Sequence, residues 1–142
     1  MIVAKSAAEK MGVKEGSRAI FIDPPEDIRA MLELPDLDIA SRLTGYFDYI
    51  HLFTKTQKDL DKRFPTLRKH LNPGGMLWVS WPKAGQLDTD LGMKIVIRIG
   101  YNRGLVESKA ISLDMTWSAL KFTHPKKGKA YIDRSGSINR LR

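Results

Sequence analysis

Short apolar runs alternate with stretches of helical spacing along most of this chain, and their order predicts its architecture. Tyr49-Ile50-His51-Leu52-Phe53 is an apolar and aromatic run, as expected of a strand buried on both faces. After it, Leu60, Phe64, Leu67 and Leu71 recur at helical spacing and form one apolar stripe. Thr56 is placed to cap that helix, with Asp59 in its first turn near the positive end of the dipole. Pro65 removes an amide donor inside it and should bend it. Asn72-Pro73-Gly74-Gly75 cannot continue a helix and predicts a turn into a second buried strand over residues 76–81. Strand, helix and strand in this order make a parallel crossover unit.

The flanking segments extend the pattern. Ser6-Ala7-Ala8-Glu9 is a capping box that opens a short helix ending by Gly12. A first strand follows over residues 18–23 and stops at Asp23-Pro24-Pro25. Residues 26–34 predict a short helix with Ile28, Met31 and Leu32 inward. Residues 37–40 read as a short strand. A parallel crossover needs about a dozen residues or more, and far fewer separate this segment from the strand at Phe47. It is therefore expected to be antiparallel to its neighbour or barely part of the sheet. Beyond a loop at residues 84–87, Asp88 or Thr89 is expected to cap a helix carrying Leu91, Ile95, Val96 and Ile99, with Gly104 at its end. Residues 105–113 and 117–123 form an antiparallel hairpin linked by Asp114-Met115-Thr116.

The central unit resembles one half of a class I S-adenosylmethionine-dependent methyltransferase. The resemblance is carried by Phe47-Asp48-Tyr49-Ile50 entering a strand and by Leu67-x-x-x-Leu71-x-Pro73-Gly74-Gly75 before the next. The chain is more closely similar to a family of short bacterial proteins of unknown function with the same skeleton. Trp81-Pro82-Lys83 and Asp114-x-Thr116-Trp117-Ser118-x-Leu120-Lys121 belong to that similarity, which spans most of residues 4–123. It implies an α/β fold: a truncated methyltransferase-like, Rossmann-like sheet, mostly parallel, with a C-terminal antiparallel hairpin and helices on both faces. It also implies where the chain departs from the enzymes. Their glycine-rich turn after the first strand is replaced by Pro24-Pro25, and no glycine follows until Gly45. No carboxylate follows Ile39 until Asp48, so the acid that holds the cofactor ribose is missing. One strand-helix unit is missing as well. The expectation is a domain with no cofactor, leaning towards no catalysis. A methyltransferase with an altered S-adenosylmethionine pocket is the alternative.

Charge changes the picture at one end. The net charge is +8 with a pI near 9.8, which favours anionic partners. Lys126, Lys127, Lys129, Arg134, Arg140 and Arg142 face only Asp133. Residues 1–125 are thus read as one domain and 126–142 as a basic tail. Any nucleic-acid binding is expected to be weak, non-specific and centred on that tail. The start of the chain lacks the apolar core and cleavage site of a signal peptide. No apolar run reaches the roughly 20 residues that span a bilayer, and there is no cysteine. A cytoplasmic protein with no membrane partner is expected.

Candidate chemistry follows from topology. Open parallel sheets bind ligands beyond the carboxyl ends of their strands. That edge collects Asp23, Thr54, Lys55, Trp81 and Lys83, with the hairpin turn at Asp114, Thr116 and Trp117 nearby. A small anion, or a protein partner, is expected there. Lys83 would supply the ammonium, and Trp81 and the turn the walls. His51, His70 and His124 share no metal-ligand spacing, so no metal is expected. No catalytic residue is assigned, because no nucleophile elbow, phosphate loop or triad is present.

Overall fold

A sheet of six strands in the order β2-β1-β3-β4-β6-β5 forms the middle layer. This is a computed structural model, and it describes residues 5–129 and Tyr131. The strands are β1 (Arg18–Ile22), β2 (Asp38–Ile39), β3 (Phe47–Phe53), β4 (Leu71–Pro82), β5 (Val106–Ser112) and β6 (Trp117–Thr123). The helices are α1 (Ala7–Met11), α2 (Ile28–Leu32), α3 (Gln57–Lys69) and α4 (Met93–Asn102). Strands β1 to β4 are mutually parallel, and β6 runs antiparallel to both β4 and β5.

The helices cover both faces. Leu60, Phe64 and Leu67 of α3 and Val96, Ile97 and Tyr101 of α4 pack on Ile50, Leu52, Leu77, Val79 and Phe122. Met11 of α1 and Leu32 of α2 pack on Tyr49, Trp78 and Ala119 on the other face. Central strands covered on both sides explain why β3 reads as a continuous apolar run rather than as an alternating one. The capping box at α1 forms as expected: Ser6 Oγ accepts from Glu9 N–H at 3.1 Å, and Glu9 Oε1 from Ser6 N–H at 3.2 Å.

Several boundaries differ from the sequence expectation for physical reasons. Strand β2 has only two residues, barely part of the sheet as one of the two expectations had it, and runs parallel to β1, against the other. The spacing argument treated β2 and β3 as neighbours, but β1 lies between them. Because β2 pairs with Arg18 and Ala19 at the start of β1, the link to β3 passes only the amino edge of β1. Arg18 holds that link, donating from its guanidinium to Tyr46 O at 2.7 Å while lying 4.0 Å over the Phe47 ring.

Strand β4 begins at Leu71, opposite Phe47, and a bulge takes up residues 72–75 before Met76 pairs with Tyr49. A Cβ on Gly75 would lie 2.9 Å from Phe47 O, so only glycine allows this approach. Helix α4 starts at Met93 with Gly92 as its cap, later than Asp88 or Thr89. Residues 83–88 instead form an irregular turn with left-handed backbone at Ala84, Gly85, Leu87 and Asp88. Among the described residues no helix is long and apolar enough to cross a membrane.

Candidate functional site

At the carboxyl ends of β1 and β3 the surface opens into a cleft of about 530 Å³. That size is within the range of small-molecule sites. Its floor and walls come from Asp23, Pro24 and Pro25 after β1, from Phe53, Thr54 and Lys55 at the end of β3, and from Asp59 and Arg63 of α3. Thr56, Leu87 and Trp117 complete it.

An ion network ties β1 to α3 across the cleft. Arg63 Nε donates to Asp59 Oδ1 at 2.9 Å, and its Nη2 to Asp23 Oδ2 at 2.9 Å. Thr54 is almost fully buried, and its hydroxyl donates to the other Asp59 oxygen at 2.6 Å. Burial pushes the Asp59 carboxyl up, but the hydrogen bonds from Thr54 and Arg63 and the charges of Arg63 and Lys62 together hold it below the usual carboxylate range. Asp23 itself has left-handed backbone, φ 54. Of the five non-glycine residues with such backbone among the described residues, Asp23 and Leu87 line the cleft. Backbone of this kind costs energy and is held only where surrounding contacts fix it.

Side chains bind two of the amides at the start of α3. Thr56 Oγ1 accepts from Asp59 N–H at 3.1 Å, and Asp90 Oδ1 from Gln57 N–H at 2.7 Å. Asp90, in the loop before α4, thus binds the first amide of α3 beside its cap Thr56. The Lys55 carbonyl accepts from Asp90 N–H and from the Thr89 hydroxyl. The Lys55 ammonium has no partner among the described residues and stands exposed at the mouth.

Beneath the cleft lies a buried polar chain. His51 is fully buried. Its Nδ1 is 2.6 Å from the Tyr49 hydroxyl and its Nε2 is 2.7 Å from Ser80 Oγ. Burial lowers the imidazole from 6.5 to about 3 and pushes the Tyr49 phenol well up. All three groups stay neutral near pH 7. The His51 ring stacks on Phe53 at 4.4 Å, and Phe53 meets Trp117 edge-on at 5.1 Å. This aromatic column is the cleft's apolar wall.

The structure brings together Asp23, Thr54, Lys55 and Trp117 and separates the other four residues expected at the site. Trp81 is 3% exposed and belongs to the core beneath α3 and α4. Trp117 pairs with Pro82, so it shares the face of Pro82 and Ser80, opposite to Trp81. The Lys83 ammonium donates to Ser112 Oγ and Asp114 O, while its amide donates to Thr116 O at 2.7 Å. Asp114 Oδ1 accepts from the Thr116 and Trp117 amides at 2.8 and 2.7 Å. Lys83, Asp114 and Thr116 therefore knit the hairpin turn, and the expected anion site between Lys83 and Trp81 does not form.

Sequence reasoning missed Phe53, Thr56, Asp59, Arg63 and Leu87 as cleft residues. Arg63 stands four residues after Asp59 on α3, a legible pairing signal. Its reach to Asp23 was not legible. Of the basic tail residues, Lys126, Lys127 and Lys129 are exposed beyond β6. Arg134, Arg140 and Arg142 lie outside the described residues. Among the described residues no group of His, Asp or Glu side chains could hold a metal.

No protein-family model matches the chain, and no curated protein matches it. Solved structures do. The ribosomal protein L11 methylase of Lactobacillus delbrueckii subsp. bulgaricus gives a TM-score of 0.56 at 13% identity, over 84% of this chain and 75% of that one. A methyltransferase from Pyrococcus furiosus gives 0.57 at 14%, over 80% and 77%. The magnesium protoporphyrin IX methyltransferase of Synechocystis PCC 6803, with bound SAH, gives 0.53 at 9%, over 83% and 78%. At these identities the likeness establishes the fold. It is a methyltransferase-like, Rossmann-like α/β fold over most of the chain.

S-adenosylmethionine is the cofactor this fold implies, and the strand-end residues do not fit it. Pro24 and Pro25 offer no amide donors where a glycine turn would. The carboxylate of Asp23 is engaged by Arg63. Strand β2 ends at Ile39 with no acid at its carboxyl end.

Proposed function

We propose that this chain is a ligand-binding domain on a methyltransferase scaffold. It holds a small anionic ligand in the strand-end cleft and does not transfer methyl groups. The observation that carries this reading is the Asp23–Arg63–Asp59 network beside Pro24 and Pro25. The prolines withhold the amide donors and Arg63 engages the acid that a nucleoside cofactor needs, yet the cleft stays open. Lys55 supplies an ammonium without a carboxylate partner among the described residues. Arg63 has guanidinium hydrogens left after serving both aspartates. Phe53 and Trp117 offer an apolar wall for a planar part of the ligand.

Mass spectrometry of protein purified gently from its own host tests this. A small anion is expected to remain with the wild type and with Lys83→Ala, and to be lost from Lys55→Ala and Arg63→Ala. Equal retention by all four proteins overturns the cleft as the site.

The second reading is a methyltransferase with an altered cofactor pocket, favoured by the fold neighbours alone. Calorimetry separates the two. No heat of S-adenosylmethionine binding is expected at physiological concentration, and micromolar affinity would sink the non-catalytic reading.

A further inference from the structure

We propose that Lys109 and Lys121 form a nucleic-acid interface, on the α1 face of the sheet, that grips the phosphodiester backbone. Lys109 of β5 stands directly opposite Lys121 of β6 in the antiparallel register. Side chains paired in this way leave the sheet on one face with Cβ atoms about 5 Å apart, and like charges there repel. The Lys109 ammonium donates to the carbonyl oxygen of Lys10, which fixes that face as the one covered by α1.

Neither lysine pairs with a carboxylate among the described residues. The acids nearest to hand are turned elsewhere. Glu9 is engaged with the Ser6 amide in the capping box. Glu107 is buried opposite Phe122, whose ring belongs to the core beneath α3 and α4. Lys121 is half-buried beside Trp78, its partner on β4. Burial and then the charge of Lys109 lower its ammonium below the usual lysine range. Two successive phosphates of a strand lying along the hairpin would neutralise the two ammonium groups and release their own counterions. Lys126, Lys127 and Lys129 follow β6 and are exposed, but their segment is held to Tyr131, which packs on the α3 and α4 side, so they do not belong to this pair's surface.

A membrane is the poorer partner for this surface. Among the described residues the exposed large apolar side chains are Ile39, Tyr46, Leu87, Met93 and Met115. Only Met115 lies near the lysines, in the turn that joins β5 and β6, and one apolar side chain is a poor anchor for a bilayer.

The experiment is fluorescence anisotropy on the full chain with a labelled oligouridylate of about 20 nucleotides, at about 50 to 200 mM KCl. The variant Lys109→Gln/Lys121→Gln is compared with Lys62→Gln/Lys69→Gln, which removes equal charge from exposed positions on α3. The first should bind about tenfold more weakly and lose about 1.5 from the log–log salt slope, as expected when two phosphate contacts disappear. The second should keep wild-type affinity. The melting temperature of Lys109→Gln/Lys121→Gln should stay at or above that of wild type, because a repulsion is removed. Three results would each overturn the proposal: no binding by wild type at the lowest salt, equal losses in the two variants, or binding to phosphatidylglycerol vesicles without binding to the oligonucleotide.

Discussion

Acidification from pH 7 to pH 4 should lower the unfolding free energy by about 3 kcal/mol through His51 alone. The folded imidazole titrates near 3 because it is buried, against 6.5 when exposed. Between those values the unfolded chain binds one more proton than the folded one. Stability is therefore fully present above pH 6.5 and drains away as the pH falls towards 3, by about 1.4 kcal/mol per unit. The depressed carboxyls of Asp59 and Asp61 act in the same direction. Their loss sets in around and below the ordinary aspartate value of 3.8, so most of the interval from pH 6.5 to 4 reports on His51. Urea unfolding at stepped pH measures the slope. In His51→Gln the slope between pH 6.5 and 4 should flatten by about one proton. An unchanged slope would mean that His51 does not titrate as a buried neutral group.

The same network predicts a pattern of mutational costs. His51→Ala leaves the Tyr49 and Ser80 hydroxyls buried without their partner and opens a cavity, for a loss of about 3–5 kcal/mol at pH 7. Replacing all three groups by apolar ones (Tyr49→Phe, His51→Leu, Ser80→Ala) should cost much less, because no polar atom is then stranded. If the triple variant is the less stable of the two, the network contributes more than mutual satisfaction.

Gly100→Ala should destabilise the fold by at least about 2 kcal/mol, despite the helix propensity of alanine. A Cβ at this position would lie 2.0 Å from Phe122 Cε1 and 2.6 Å from Cζ. The Phe122 ring is fully buried and held edge-on against Phe64 at 5.3 Å, so it cannot swing away freely. Propensity alone would favour alanine by about 1 kcal/mol in mid-helix. The clash with a packed ring outweighs it. The decisive comparison is a double-mutant cycle with Phe122→Leu, which makes room. In that background Gly100→Ala should be neutral or stabilising. Equal stability of Gly100→Ala and wild type in urea would show that the ring yields easily.

Local chemistry made much of the fold legible. Ser6-Ala7-Ala8-Glu9 closed its capping box, Thr56 capped α3, and Leu60, Phe64 and Leu67 formed its buried stripe. The hairpin of β5 and β6 followed from two strand-like runs with a three-residue link. The departures came where one segment's fate depends on a distant one. The start of α4 moved because Asp90 binds the amide of Gln57 on another helix. Strand β2 became parallel because its partner is β1 rather than β3. The candidate site divides in the same way. Asp23, Thr54 and Lys55 were legible because strand ends in a parallel sheet share one edge.

By itself, the sequence determined the element order, the crossover unit, most caps and the carboxyl edge at which the cleft opens. These depend on periodicity and on contacts between residues a few positions apart. Tertiary structure alone decided which side chains share that edge. Strand β4 is covered on both faces, so alternation could not tell that Trp81 enters the core while Trp117 turns to the cleft. The assignment of Lys83 to the hairpin turn, of Arg63 to Asp23, and of Lys109 to a place opposite Lys121 likewise rests on strand register and helix placement. Those are properties of the assembled sheet, because a side chain's partner is set by which backbones lie side by side.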